Sequence, residues 1–439
     1  MNRWHVIIGG VLIGALGFGA SFDFWRQNIF SGKIAATVAQ NTGVAENKQQ
    51  KTIEERIQEA FVRSQNRKGV YMSAAVANDQ GRSGTKLRNS ILDLMKKTEL
   101  NAVVIDVKEV DGMETTKNLQ PFLEELHRND IWAIARLTVM RDDSQVALHP
   151  NWYVHKTNGA VWRDNHGHAW FDPAHPEVRK YTADAAKKVI DMGFDEVQFD
   201  YIRFPSDGAL NVAVYPAYRT KEEPKYKVMG EFFKYLHDEL KQYKPEIILS
   251  VDLFGYVASR GNDFGVGQRL EDLKDNFDYI SFMLYPSHYY SGFFMAADPE
   301  RNLPEVNYPY RAANISAVVS NHPYDVVYRS ILFAEDFLAG KFDKKNASST
   351  PATATTTGEV ANATNAAKET NVTKVSNARF RPFLQAFDLG ADSSRGIIYD
   401  AAKIKAQIDA AERAGASGWL LWNASNVYNI SALQPENSR

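Results

Sequence analysis

The 439-residue sequence contains no cysteine. Disulfide bonds, thiol nucleophiles, iron–sulfur clusters and cysteine zinc sites are therefore excluded. A metal ion would need ligands from His, Asp or Glu side chains, and we predict no metal site.

The sequence also lacks an excess of charge of either sign, since 51 Lys and Arg residues face 53 Asp and Glu residues. The net charge of −2 gives no global field that would steer the protein onto nucleic acid. Glycine-rich phosphate-binding motifs are absent as well, and the segment from Gly81 to Lys86 lacks the Walker spacing. We therefore expect no nucleic-acid partner, no nucleotide and no cofactor.

An uncharged hydrophobic run of 17 residues extends from Val6 to Phe22. It lies at the short end of the ~17–25 residues that span a bilayer, and Arg3 before it favours a cytoplasmic amino terminus. We predict that residues 1–30 form an uncleaved signal anchor that places the rest of the chain on the outer side of the membrane. The alternative is a cleaved signal peptide, although Phe18 stands where an A-x-A-like cleavage site needs a small residue.

Two tracts are poor in large apolar residues. Residues 31–60 are predicted to form a flexible tether after the membrane segment. Residues 344–377 are rich in Ala, Thr and Asn, and too few of them are apolar for the tract to fold. Because strand-like sequence resumes after this tract, we interpret it as an insertion within one domain that spans residues 61–435.

Between these tracts, β-branched or aromatic runs alternate with amphipathic stretches, as in βα units on a parallel sheet. Strands are predicted at residues 70–76, 102–108, 131–137, 196–203, 247–252, 279–285, 381–387 and 418–423. Helices are predicted between them at residues 86–98, 119–129, 177–192, 227–243 and 401–414. Eight parallel strands close most simply into an α/β fold of the (β/α)₈ TIM barrel type. An open doubly wound sheet is the alternative.

Functional residues of such a barrel lie where the strands end, at its carboxyl-terminal face. Polar residues close or follow seven of the runs: Asp106, Lys108, Arg136, Asp200, Arg203, Asp252, Tyr285, His288, Gln385, Asp388, Trp422 and Asn423. Charged side chains in buried strands are costly unless they are paired. The alternative to a functional site is therefore a set of buried ion pairs, such as Asp200 with Arg203 or Asp106 with Lys108.

Asp200 and Asp252 end neighbouring strands, where two carboxyl groups can flank one scissile bond. Glycoside hydrolysis needs one carboxylic acid with a raised pKa and one ionised carboxylate. We expect Arg203 to hold Asp200 ionised. Desolvation by apolar neighbours would raise the pKa of Asp252 and suit it to the role of the acid.

The long segment between the third and fourth strands is rich in aromatic residues, including Trp152, Trp162 and Trp170. Flat rings beside hydrogen-bonding groups suit a sugar ring, which has an apolar face and hydroxyl groups. The alternative is a loop that its own aromatic rings hold on the rim of the barrel.

Four motifs together resemble a known family. They are GFDEVQFDYIRFPSD at 193–207, SVDLFG at 250–255, YPSHY at 285–289 and GWLLWN at 418–423. Over residues 68–430 the chain resembles the bacterial "putative glycoside hydrolase domain" family of (β/α)₈ barrels, which is distantly related to the alpha-amylase-like clan.

The resemblance implies roles for particular residues. Asp200 matches the nucleophile that ends strand four in amylase-like barrels. Asp252 stands where those barrels have an acid/base glutamate, and Asp388 would correspond to the transition-state stabiliser near the end of strand seven.

The leading hypothesis is an exported, membrane-anchored glycoside hydrolase that cleaves a cell-envelope or extracellular polysaccharide. Asp200 would act as nucleophile or base and Asp252 as acid. The predicted substrate-binding residues are Asp106, Lys108, Arg136, Trp170, Tyr201, Arg203, Tyr285, His288, Gln385, Asp388, Trp422 and Asn423.

Two further hypotheses remain open. One is a catalytically silent barrel that binds glycan in the cell envelope. The other is a metal-assisted hydrolase centred on His166, His168 and Asp172, although two His at positions i and i+2 are a weak signal for a metal.

Overall fold

A computed structural model describes residues 51–113, 119–219, 222–342 and 379–436. Its main sheet contains eight parallel strands: β1 Arg67–Met72, β2 Ala102–Glu109, β3 Trp132–Thr138, β4 Glu196–Asp200, β5 Ile248–Phe254, β6 Tyr279–Leu284, β7 Phe383–Gln385 and β8 Gly418–Trp422. Each strand pairs with the next along the chain, and β1 pairs with both β2 and β8. The predicted closed barrel is therefore confirmed, and the open doubly wound sheet is wrong.

Helices surround the barrel and connect successive strands. The longer ones are α1 Ile53–Ser64, α2 Arg82–Lys97, α3 Leu119–Arg128, α4 Pro176–Asp191, α5 Lys225–Tyr243, α6 Gly255–Arg260, α7 Pro323–Leu338 and α8 Ala401–Arg413. Single-turn helices lie at Ala74–Asn78, Leu270–Leu273 and Gly390–Ser393. Short additional strands lie at Gly112–Met113, His155–Lys156, Ala213–Val214, Phe293–Met295, Val306–Tyr308 and Arg379–Phe380.

All eight predicted strands are present, and two of them end at least three residues earlier than expected. The first ends at Met72 because the Ser73 side chain accepts a hydrogen bond from the Val76 backbone N–H and caps a short helix. The fourth ends at Asp200 because Tyr201 adopts a φ of 52°, which turns the backbone out of the extended conformation.

Side chains that alternate along the strands fill the interior of the barrel. Its apolar part is built from Ala102, Val104, Trp132, Ile134, Ile248, Tyr279, Phe383 and Leu420. The opposite faces of the same strands pack against the helices in a larger apolar cluster. Charged side chains lie at both ends of the interior, and the two ends are built differently.

At the amino-terminal end of the barrel, Arg381 and Glu196 form a fully buried ion pair. Nη1 of Arg381 donates to both carboxylate oxygens of Glu196, at 3.0 and 2.8 Å. Nη2 donates to the carbonyl oxygen of Ser64 at 3.0 Å, and the Trp132 indole donates to Glu196 at 3.0 Å. This network ties the last residue of α1 to the floor of the barrel.

Several predictions about the chain termini and tracts fall beyond the described residues. The predicted membrane segment in residues 1–30 and the insertion at residues 344–377 lie outside them. The predicted tether is described only from residue 51, and α1 begins at Ile53, within the range assigned to the tether. Over the ranges that the structure describes, no helix combines the length and apolar character needed to span a membrane.

The buried ion pair of Arg381 and Glu196 predicts how a substitution there changes stability. Replacing Arg381 by Met leaves the Glu196 carboxylate buried without its cation, so we expect a loss of about 3–5 kcal/mol in the free energy of unfolding. Urea denaturation followed by circular dichroism measures it. The exposed Arg128→Met is the control, and Glu196→Gln added to Arg381→Met should recover part of the loss. Equal stability of Arg381→Met and wild type would contradict the account.

Candidate active site

The carboxyl-terminal ends of four neighbouring strands bring four charged side chains together. Asp106 lies on β2, Arg136 on β3, Asp200 on β4 and Asp252 on β5. The strand register places Asp106 opposite Arg136. All four side chains are buried, with at most 6% of the residue surface exposed.

The Arg136 guanidinium is the centre of this group. Nη1 donates to Asp106 Oδ1 at 2.5 Å, and Nη2 donates to Asp200 Oδ2 at 2.5 Å. Nε also donates to Asp200 Oδ2, at 3.1 Å, and lies 3.7 Å from Asp252 Oδ2. Burial lowers the pKa of Arg136, but Asp106 and Asp200 more than offset this effect and the pKa ends well above its usual value. Arg136 is therefore a permanent cation that three carboxyl groups face.

Both oxygens of Asp200 are held in place. Oδ2 accepts two hydrogen bonds from Arg136, and Oδ1 accepts one from the backbone N–H of Tyr201 at 2.6 Å. Tyr201 presents this N–H from its left-handed backbone conformation, which is costly for a bulky side chain. Strain of this kind at the end of a barrel strand is typical of functional sites.

Asp252 has a different environment from Asp200. Only 1% of the residue is exposed, and neither of its carboxyl oxygens has a hydrogen-bond partner among the described residues. Burial raises the pKa of Asp252 well above its usual value, and the nearby Asp200 raises it further, while Arg136 acts in the opposite direction. The surroundings of Asp252 therefore favour its protonated form, whereas Asp200 is ion-paired with Arg136.

The two carboxyl groups are close together because they share one nitrogen atom. Oδ2 of Asp200 and Oδ2 of Asp252 lie 3.1 and 3.7 Å from Nε of Arg136, so they are no further apart than these distances combined. Carboxyl groups about 5 Å apart are typical of retaining glycosidases, and those of inverting enzymes are about 6.5–9.5 Å apart. The upper limit set by the shared nitrogen includes the retaining spacing and reaches only the lower edge of the inverting range.

Tyr71 on β1 belongs to the same group, although no sequence pattern indicated it. Its hydroxyl group donates to Asp106 Oδ2 at 2.5 Å, and its ring packs on Trp422 with centroids 3.8 Å apart. Trp422 also lies beneath the Arg136 guanidinium, 5.1 Å from its ring centroid. Asp106 therefore acts as a support for Arg136, while Trp422 reaches the cavity above.

A cavity of about 650 Å³ opens over these residues. Eight of the fourteen predicted site residues line it: Arg136, Asp200, Tyr201, Arg203, Asp252, Tyr285, His288 and Trp422. The wall also contains residues that were not predicted from the sequence. They include Phe254, Tyr256, Phe264, Tyr289 and Tyr290. The wall is tightly packed at Gly255, where a Cβ atom would lie 2.6 Å from the carbonyl oxygen of Met283.

The structure places three predicted binding residues away from the cavity. The Lys108 ammonium group donates to the Thr138 carbonyl oxygen and pairs with Asp142 at 2.7 Å. Asp388 is exposed and accepts a hydrogen bond from the backbone N–H of Tyr399. The neighbouring Asp106 supports Arg136 from below, as described above.

The other three predicted binding residues, Gln385, Asn423 and Trp170, do not line the cavity but support the residues and loops around it. Gln385 is fully buried and holds Ser287 of the YPSHY turn with two hydrogen bonds. Nε2 of Gln385 donates to the Ser287 hydroxyl at 2.8 Å, and Oε1 of Gln385 accepts from the Ser287 backbone N–H. Asn423 donates to the carbonyl oxygens of Ala386 and Val427 and holds the loop after β8. Trp170 is buried 5.0 Å behind the Arg203 guanidinium.

The aromatic segment between β3 and β4 is part of the packed core. Trp162, Trp170 and Phe171 are all at least 99% buried, so these rings hold the segment on the barrel rim. Most of the aromatic side chains that line the cavity lie at the ends of β5 and β6 or in the loops after them, and Tyr201, Phe383 and Trp422 add rings from other strands.

The third hypothesis, a metal centre, finds no support in the geometry. Asp172 accepts hydrogen bonds from the backbone N–H groups of Ala174, Ala217 and Tyr218. His168 is paired with Asp143 at 2.8 Å. Within the described part of the chain, no group of three or more His, Asp or Glu side chains is arranged to hold a metal ion.

Comparisons with solved structures give three similar chains. A hypothetical protein from Ruminiclostridium thermocellum ATCC 27405 is 27% identical and covers 45% of this chain and 98% of its own, with a TM-score of 0.36. The PgaB (BpsB) glycoside hydrolase domain from Bordetella bronchiseptica is 13% identical, with coverages of 82% and 95% and a TM-score of 0.48. Alpha-L-fucosidase isoenzyme 2 from Paenibacillus thiaminolyticus is 10% identical, with coverages of 85% and 47% and a TM-score of 0.47.

No curated protein sequence matches this chain. A family model described as "Putative glycosyl hydrolase domain" matches residues 69–349 and 327–428, which together include all of the barrel strands from β2 to β8 and most of β1. The chain belongs to this glycosyl hydrolase domain family.

Proposed function

We propose that the protein hydrolyses glycosidic bonds of a polysaccharide, with Asp200 as nucleophile and Asp252 as acid/base. The observation that carries this proposal is the unequal environment of two carboxyl groups beside one guanidinium. Asp200 is paired with Arg136, whereas Asp252 has no hydrogen-bond partner among the described residues. Glycosidases need this division between an ionised and a protonated carboxyl group.

In the first step, an Asp200 oxygen bonds to the anomeric carbon while the glycosidic C–O bond breaks. Asp252 transfers its proton to the departing oxygen, which leaves a glycosyl ester on Asp200 and an ionised Asp252. In the second step, the Asp252 carboxylate accepts a proton from water as the water oxygen attacks the anomeric carbon. The ester bond breaks, and both carboxyl groups return to their starting states with retention of configuration.

The aromatic wall supports a glycan substrate. Rings of Tyr256, Phe264 and Tyr290 line the cavity, and Tyr290 is 57% exposed. Phe294, 40% exposed, lies on the short strand that follows. Exposed aromatic faces next to a buried polar floor suit the stacking of successive sugar rings. We therefore propose a polymeric substrate, in the cell envelope or outside the cell.

A barrel that binds glycan without cleaving it is the second candidate. One observation favours it: both oxygens of Asp252 are sealed from solvent in this structure. A proton transfer from Asp252 requires the substrate to reach the floor of the cavity and contact the carboxyl group directly.

We also propose that the barrel is exported and attached to the membrane through residues 1–30. The uncharged run from Val6 to Phe22, with Arg3 before it, supports this orientation. We expect the full chain to fractionate with membranes and the barrel to be accessible to protease added outside the cytoplasmic membrane. Recovery of the intact chain with the cytosol would overturn the proposal.

The raised pKa of Asp252 has a consequence for stability. An Asp whose pKa is raised on folding binds more protons in the folded than in the unfolded chain, so stability falls as pH rises above the usual Asp pKa of 3.8. Asp252→Asn removes this loss. We therefore expect the variant to be more stable than wild type at pH 7, and this difference to shrink toward pH 4. Urea denaturation at both pH values measures the difference.

Two variants control this experiment. Asp93→Asn replaces an exposed carboxyl group and should be neutral at both pH values. Asp200→Asn should destabilise, because it removes the partner of Arg136. An Asp252→Asn variant that is less stable than wild type at pH 7 would contradict the protonated state.

Chemical rescue tests the two catalytic roles. Wild type is first screened on a panel of glycans and aryl glycosides for new reducing ends. We expect Asp252→Gly to lose about 10²–10⁴-fold in activity on substrates with poor leaving groups, and Asp200→Gly to lose at least as much. Azide should rescue Asp252→Gly and give a glycosyl azide of retained configuration. It should rescue Asp200→Gly by direct attack and give the inverted configuration.

The control for rescue is again Asp93→Asn, which should keep full activity. Retained activity in both glycine variants would contradict the assignment of the two residues. Binding of a glycan by wild type, Asp200→Asn and Asp252→Asn without cleavage of any substrate by wild type would replace the enzyme with the glycan-binding barrel.

A further inference from the structure

Arg203 is a buried cation in the wall of the cavity. Only 7% of the residue is exposed. Its guanidinium lies among three aromatic rings, 4.3 Å from the centroid of Phe254, 5.0 Å from that of Trp170 and 5.3 Å from that of Tyr201. These rings hold the planar group in one orientation.

The hydrogen bonds of Arg203 use one of its three nitrogens. Nη1 donates to the Phe204 carbonyl oxygen at 3.0 Å and to the Ser206 hydroxyl at 3.2 Å. No described residue accepts a hydrogen bond from Nε or Nη2, and no described carboxylate lies within ion-pair distance. The Nε and Nη2 edge, with two parallel N–H bonds, is therefore without a protein partner.

Arg136 in the same cavity is a buried cation that carboxylates do neutralise, and it serves as a comparison for Arg203. All three of its nitrogens donate to carboxylates. Arg203 has no equivalent partner: Asp200 is engaged with Arg136, and Arg141, which repels Arg203, is paired with Asp164. The half-buried Asp207 acts on Arg203 only at longer range.

The balance of these effects leaves Arg203 under-compensated. Burial lowers its pKa to about 10, although Tyr201, Asp200 and Asp207 act in the opposite direction. The residue stays cationic at neutral pH. A buried charge is costly unless it is paired, and contacts with ring faces leave the Nε and Nη2 edge without an acceptor among the described residues.

We propose that Arg203 recognises an anionic group on the substrate, so that the glycan bound beside Asp200 carries a carboxylate, sulfate or phosphate. A planar, fixed guanidinium edge matches two oxygens of such a group with two parallel hydrogen bonds. The inference deepens the proposed function and rests on it only for the statement that the bound glycan is cleaved.

Binding of small sugars tests the recognition directly. The full-length protein in detergent is titrated with glucuronate, glucose 6-sulfate, glucose 6-phosphate and uncharged glucose by calorimetry. We expect at least one charged sugar to bind more tightly than glucose. Arg203→Gln should weaken that binding by about 10- to 100-fold and leave glucose unchanged, and Arg203→Lys should recover only part of it. The three charged probes distinguish the possible anionic groups.

Arg260→Gln is the matched control. Arg260 also packs on aromatic rings, at 4.9 Å from Tyr256 and 5.9 Å from Phe264, but it does not line the cavity. It should keep the preference for the charged sugar. Thermal unfolding of each variant checks that the barrel is folded.

The outcomes separate this inference from the proposed function. Equal binding of glucose and all charged sugars by wild type, or equal loss of both kinds in a folded Arg203→Gln, would overturn the inference. Cleavage of a charged glycan at the same kcat/KM by wild type and Arg203→Gln would overturn it while the hydrolase stands. Arg203-dependent binding of a charged sugar with no cleavage of any glycan would support the inference and reject the hydrolase.

Discussion

The site depends on the contacts between the Arg136 guanidinium and three carboxyl groups. Carboxyl groups from β2, β4 and β5 converge on this one cation from β3, in a space that water barely reaches. One positive charge cannot balance three ionised carboxylates, and uncompensated charge is costly in such a place. Asp106 and Asp200 take the hydrogen bonds of Arg136, so Asp252 is the group whose pKa its surroundings raise. The difference between the two carboxyl groups, Asp200 and Asp252, follows from which of them accepts hydrogen bonds from the guanidinium.

The barrel uses a buried arginine at both of its ends, for different purposes. At the floor, Arg381 is matched with Glu196 alone, and the remaining bonds go to backbone and indole groups of the structure itself. At the mouth, three carboxyl groups face one cation, and no described residue donates a hydrogen bond to Asp252. This contrast fits the general division of (β/α)₈ barrels between a face that stabilises the fold and a face that carries the chemistry. A site that holds strained and unpaired groups is less stable than the same fold would be without them.

Much of the architecture could be predicted from the sequence, because buried parallel strands are continuous apolar runs and the helices between them are amphipathic. The ends of the strands were harder to predict from the sequence, because the cap at Ser73 and the positive φ of Tyr201 depend on local geometry. The partners of the buried charged residues could not be predicted from the sequence either. Asp200 with Arg203 and Asp106 with Lys108 are close in sequence, yet both aspartates bind Arg136, which is remote in sequence. A register shift between Asp106 and Lys108 on β2 accompanies the turn of Lys108 toward Asp142.

We infer that Asp252 carries a proton at neutral pH beside an ion-paired Asp200. The most direct measurement is the infrared spectrum of protein with isotope-labelled aspartate, taken as the difference between wild type and Asp252→Asn at pH 7. We predict that the difference contains the carbonyl stretch of a protonated carboxyl group, and that the corresponding difference for Asp200→Asn contains the bands of an ionised carboxylate. Loss of only ionised carboxylate bands in Asp252→Asn would contradict the claim.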